Sequence, residues 1–135
     1  MIQYLLDTNA CIDVIRNRSP RVLSRLRQCV PGSVGISSIT LAELFYGVAR
    51  SSDPERNLLA LTQFCAPIDV VPFDDSAATT SGPVRRELER SGCPAGPLDT
   101  LIAAHSLSLG TTLVTDNERE FRHVKGLKVE NWLRP

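Results

Sequence analysis

Short, nearly continuous apolar runs alternate along this chain with amphipathic stretches, the pattern of strands buried in a parallel sheet and of helices covering it. The first run, Ile2-Gln3-Tyr4-Leu5-Leu6, ends at Asp7-Thr8-Asn9, a polar cluster suited to a helix start. The helical stretch that follows runs towards Cys29, with a break near Ser19-Pro20. Pro31-Gly32 marks a turn, Val34-Gly35-Ile36 reads as a second strand, and Ser37, Ser38 and Thr40 are candidate caps for the next helix. In that helix Leu41, Leu44, Phe45 and Val48 share one stripe, with Glu43 nearly opposite.

Asp53-Pro54 opens a further helix through Leu58, Leu59 and Leu61, and Ile68-Asp69-Val70-Val71 is a third strand. A long helical region from Asp75 to Arg90 carries a break or kink at Gly82-Pro83. After the loop from Ser91 to Gly96, Pro97 suits the first turn of a helix that continues through Leu109 and stops at Gly110. Thr112-Leu113-Val114-Thr115 is a fourth strand ending at Asp116; a short helix near Glu118–Phe121 and a last strand around Lys128–Glu130 follow. This alternation implies an α/β fold of three layers, with a central parallel sheet of about five strands flanked by helices. No repeat or second module interrupts residues 1–135, which read as a single domain.

Hydrophobic residues make up 42% of the chain, enough for a core, while fifteen basic and fifteen acidic side chains cancel. That balance disfavours a non-specific coat for nucleic acid but leaves local binding open. The N-terminus lacks the pattern of a signal peptide, and no apolar run approaches the ~20 residues that span a bilayer. A cytoplasmic protein with no membrane partner is expected. Cys11, Cys29, Cys65 and Cys93 are far apart, so reduced, mostly buried thiols are expected rather than zinc ligands or a disulfide framework.

Ligands of open parallel sheets bind beyond the carboxyl ends of the strands. Two predicted strands end in Asp7 and Asp116, Asp99 falls in the first turn of its helix, and Glu43 lies early in the helix after the second strand. Parallel strands bring all four to one edge. Gathered carboxylates repel one another, and a divalent cation relieves that repulsion. Hard oxygen donors suit Mg²⁺ or Mn²⁺, which would assist phosphodiester hydrolysis. Thr8, Asn9, Ser38 and Thr115 are placed to support the carboxylates. Each acid also has a plainer role: Asp7 as a helix cap, Glu43 in the capping box Thr40-x-x-Glu43, Asp99 in favour with a helix dipole, Asp116 as a turn residue. His105 falls on an apolar face and reads as packed, His123 as surface. No serine or cysteine sits in a nucleophile elbow, and Asn9 stands where an aspartyl-nucleophile phosphatase would need a second aspartate.

Leu6-Asp7-Thr8-Asn9, the run from Ser37 to Gly47, the run from Gly96 to His105 and the run from Leu113 to Phe121 resemble, in order and spacing, the VapC-type toxins of the PIN-domain family. The resemblance extends through Val124–Leu127 and Glu130–Trp132 and covers nearly the whole chain. It implies a toxin of a type II toxin–antitoxin system, an Mg²⁺- or Mn²⁺-dependent endoribonuclease acting on transfer or ribosomal RNA. It further implies a homodimer and a VapB antitoxin whose C-terminal segment wraps the toxin and inserts a basic side chain into the pocket. Operator DNA would be met only through that antitoxin. Asp7, Glu43 and Asp99 match the family's acidic positions; Asp116 is the preferred fourth, with Glu120 in reserve. On this reading Asp7 and Asp99 bind the main cation, while Glu43 and Asp116 complete its shell or activate water. Gly82-Pro83 departs from the uninterrupted helix of the family. Val14, Ile15, Val22, Leu26 and Leu58 are candidates for the antitoxin groove, with core packing as the plain alternative. Two other readings remain open: a catalytically silent binding module of the same fold, and a nuclease for DNA.

Overall fold

The computed structural model describes all 135 residues. Its elements run β1 (Tyr4–Leu6), α1 (Thr8–Ile15), α2 (Arg21–Gln28), β2 (Val34–Ser37), α3 (Ser38–Ala49) and α4 (Pro54–Cys65). They continue with β3 (Asp69–Val71), α5 (Asp75–Arg90), α6 (Pro97–Leu109), β4 (Thr112–Val114), α7 (Glu118–Phe121) and β5 (Lys128–Glu130). The five strands form one parallel sheet in the order β3-β2-β1-β4-β5. No helix is long and apolar enough to cross a membrane.

Strand alternation fixes the layers. Leu6, Ile36 and Val114 turn to one face, where Ala10 and Cys11 of α1, Val22 of α2, Leu44 of α3 and Leu61 and Phe64 of α4 close over them. Leu5 and Leu113 turn to the other, against Val84 and Leu88 of α5, Ile102, Ala103 and Ala104 of α6 and Phe121 of α7. A fully buried leucine contributes about 1.5–3 kcal/mol, and a one-residue slip would exchange the two faces, so the register is held firmly. In that register Leu6 lies beside both Ile36 and Val114. The next residues, Asp7, Ser37 and Thr115, therefore lie side by side at the carboxyl edge, Ser37 being the last residue of β2.

Three local expectations change. The Gly82-Pro83 step does not break α5, which is continuous. Pro83 and Thr79 both lie on the exposed side, so the carbonyl deprived of a partner by proline faces solvent, while Val84 and Leu88 stay buried. Phe45 is not in the core: it is 48% exposed. The buried line of α3 runs instead through Thr40 and Leu44, one turn apart. Only Cys11 among the thiols is fully buried; the others are half-buried, and all four are free. The break before Pro20 is real, with α1 ended by Asn17 at positive φ and Asp13 receiving hydrogen bonds from Ser19.

Candidate active site

Asp7 ends the central strand and caps α1. Its Oδ1 accepts a 2.9 Å hydrogen bond from the Ala10 N–H, the geometry expected of a capping aspartate. The capping reading of Asp7 therefore holds, and it leaves the carboxyl at the sheet edge where the other acids gather. The side chain is only 5% exposed. Burial raises its carboxyl from 3.8 to about 6; the Thr115 hydroxyl and the Ala10 N–H oppose this, and the negative charges of Asp116 and Asp99 reinforce it.

Asp99 stands in the first turn of α6, behind Pro97, and its carboxyl is also raised, by burial first and then by Glu43 and Asp116. Glu43 projects from the middle of α3, where its Oε1 accepts a hydrogen bond from the Thr8 hydroxyl. Asp116 follows β4 and receives a long, 3.5 Å contact from the Asn9 amide. The structure thus brings Asp7, Glu43, Asp99 and Asp116 to one edge, and none of them has a lysine or arginine partner in a salt bridge. Glu120 lies further along, in a separate cavity of about 390 Å³ that it shares with Asp116, Arg119 and Arg122. The charge that bears on Asp7 and Asp99 is that of Asp116, not Glu120.

The supporting residues are partly as expected. Thr8 holds Glu43, Asn9 reaches Asp116, and Thr115 serves Asp7 while also accepting from the Asn117 N–H. Ser38 does not touch the acids; its hydroxyl receives the Phe73 N–H. The Thr40–Glu43 capping box does not form, since Ser37 caps α3 and Thr40 is buried within the helix. A cleft of about 840 Å³ between α1, α3 and α4 leads to Glu43 and Asp99. Its walls include Ile12, Ile15, Leu44, Tyr46 and Leu61, with Arg16, Arg50 and Arg56 among the polar residues. Of the apolar residues singled out by sequence only Ile15 lines it; Val22 is wholly buried in the core. The three arginines carried no motif and were not legible as part of this wall.

No three of the acidic side chains meet closely enough to enclose an ion by themselves. Mg²⁺ does not require that, since it keeps several of its waters and is usually held by one or two carboxylates. An all-oxygen donor set with a buried, cation-free Asp7 at its centre fits such an ion. It suits neither zinc nor a heme.

A profile of the PIN domain matches residues 4–127. The tRNA(fMet)-specific endonuclease VapC of Shigella flexneri is 46% identical over 132 residues, covering 98% of this chain and 99% of the relative. Two solved structures superpose with TM-scores of 0.90. One is DNA-bound VapBC from Salmonella typhimurium, at 42% identity over 98% of this chain and 99% of that one. The other is VapBC2 from Rickettsia felis bound to a fragment of its promoter, at 37% identity with the same coverages. A sheet of this order, an acidic edge without counter-ions and relatives matched from end to end lead to one assignment: the chain belongs to the PIN-domain family, among its VapC-type toxin ribonucleases.

Proposed function

We propose that this ribonuclease cleaves transfer RNA by Mg²⁺-assisted phosphodiester hydrolysis, with Mn²⁺ able to substitute, at a site made of Asp7, Glu43, Asp99 and Asp116. The observation that carries this is Asp7, a carboxylate nearly sealed from water beside two other acids and without a cation of its own. Such a group is costly to ionise unless an ion neutralises it. Asp7 and Asp99 hold the cation; Glu43, oriented by Thr8, and Asp116, steadied by Asn9, complete its shell or take the proton of the attacking water. When bound, the cation supplies the positive charge that steadies the phosphodiester and eases deprotonation of water. The water oxygen joins phosphorus, the P–O bond to the leaving nucleotide breaks, and the leaving oxygen takes up a proton from solvent.

Transfer RNA is favoured as substrate by the 46% relative, a tRNA(fMet)-specific endonuclease. As the toxin of a type II pair, the chain is held inactive by a VapB-type antitoxin, whose segment fits the partly apolar cleft between α1, α3 and α4 and ends near Glu43 and Asp99. Operator DNA is reached through that antitoxin.

Purified protein is incubated with tRNA(fMet), ribosomal RNA and a DNA strand of matched sequence, with Mg²⁺ or with EDTA. Cleavage of the transfer RNA alone, abolished by EDTA and by Asp7→Asn, is the expected result. RNA bound but left intact by the Mg²⁺-loaded protein would identify a silent binding module instead, and cleavage of the DNA strand would reassign the substrate.

A further inference from the structure

Beneath the acidic edge, His105 is 1% exposed and Ser37 wholly buried, and the histidine Nδ1 lies 2.8 Å from the serine Oγ. Ser37 Oγ already accepts the Ile39 N–H at 3.0 Å, so its own proton is free for Nδ1. That places the ring proton on Nε2, which has no partner, and the ring is kept neutral by burial against a weaker opposing effect of Asp74. Phe73 packs edge-on against the ring at 5.3 Å. Burial and an unpaired Nε2 make histidine a costly filler for this space, and the bond to Ser37 is the one polar contact the ring supplies.

What the histidine supplies is a link between two helices. Ser37 starts α3, which carries Glu43 six residues later; His105 lies on α6 six residues after Asp99. Glu43 and Asp99 face each other closely enough for their charges to interact. We propose that the Ser37–His105 hydrogen bond is a strut that fixes the separation of Glu43 and Asp99, and that His105 is a positioning residue for the divalent cation. This rests on the acidic edge being the cation site.

The test is Mn²⁺ binding by electron paramagnetic resonance, alongside thermal unfolding, for the wild type, His105→Leu, His105→Asn and Ser37→Ala. An asparagine amide can occupy the place of Nδ1 and keep the bond to Ser37. His105→Leu is expected to weaken Mn²⁺ binding about 10-fold with only a small fall in Tm from the stranded Ser37 hydroxyl, and His105→Asn to restore most of the binding. Ser37→Ala should weaken binding similarly, with a fall in Tm from the α3 cap it also removes, and it carries the test if the leucine variant does not fold. Equal Mn²⁺ affinity in the wild type, His105→Leu and Ser37→Ala overturns the strut; so does an asparagine variant as weak as the leucine one, which would make ring packing the cause. A wild type that binds no Mn²⁺ at all removes the cation site itself, a separate outcome.

Discussion

The Thr8 hydroxyl donates a hydrogen bond to Glu43, tying the residue after the central strand to a helix thirty-five positions further along the chain. This bond orients the Glu43 carboxylate. Thr8→Val keeps the shape and removes the donor. Cleavage is expected to slow about 10–100-fold, the usual effect of losing a group that orients a site carboxylate, while stability changes little. Single-turnover rates at saturating Mg²⁺, compared with Tm, check this.

Asp7→Asn should leave the fold intact and stop cleavage. Asparagine caps helices as well as aspartate does, so the Ala10 N–H keeps its acceptor. The effect on pH dependence has a definite sign. Asp7 holds its proton up to about 6 in the folded protein, against 3.8 as a free side chain. Between those values the folded state binds more protons than the unfolded one, so stability falls as pH rises through the window, by about 3 kcal/mol in all. Urea unfolding at pH 4 and pH 6.5 should show this slope in the wild type and a flatter one in Asp7→Asn.

Added Mg²⁺ acts in the opposite direction. It binds the ionised acids of the folded state, so its stabilisation should be larger at pH 7.5 than at pH 5. Thermal shifts with and without Mg²⁺ at the two pH values read this directly, and a shift that grows on acidification would contradict it.

Gly35→Ala should destabilise the protein by about 1–3 kcal/mol through overpacking. An added Cβ would lie 2.8 Å from Ile2 Cδ1 and 3.0 Å from the Asp69 carbonyl oxygen, and the second contact is backbone that cannot turn aside. The midpoint of urea unfolding measures the loss.

Pro83→Ala should stabilise by about 1–3 kcal/mol, because α5 is already continuous there and alanine returns the missing N–H to the Thr79 carbonyl. A fall in Tm would mean that proline's restriction of the unfolded chain outweighs the lost bond.

The sheet and its acidic edge were legible because both obey short-range patterns. Leu5-Leu6-Asp7 and Val114-Thr115-Asp116 show the strand and its end in adjacent letters, and parallel topology carries the ends to one side. What stayed hidden depends on pairs distant in sequence. Nothing near Phe45 tells that the core line of α3 runs through Thr40 and Leu44, since that is decided by where β2 and α1 lie. The apolar face around His105 predicts its burial, but its bond to Ser37 joins two positions sixty-eight residues apart. Proline in α5 misled for a related reason: propensity prices the lost hydrogen bond but not the burial of Val84 and Leu88 on the opposite side.

Because β1 is the middle strand, its two neighbours come from opposite directions in the chain, β2 soon after it and β4 near the end. Pairing with β4 closes a loop of about a hundred residues, a slow step for any polypeptide. On the ribosome, the N-terminal portion can dock β2 and bring Glu43 towards Asp7, yet Thr115 and Asp116 have still to be made. The acidic edge is therefore one of the last features of the molecule to be completed, since Asp116 follows β4 close to the end of the chain.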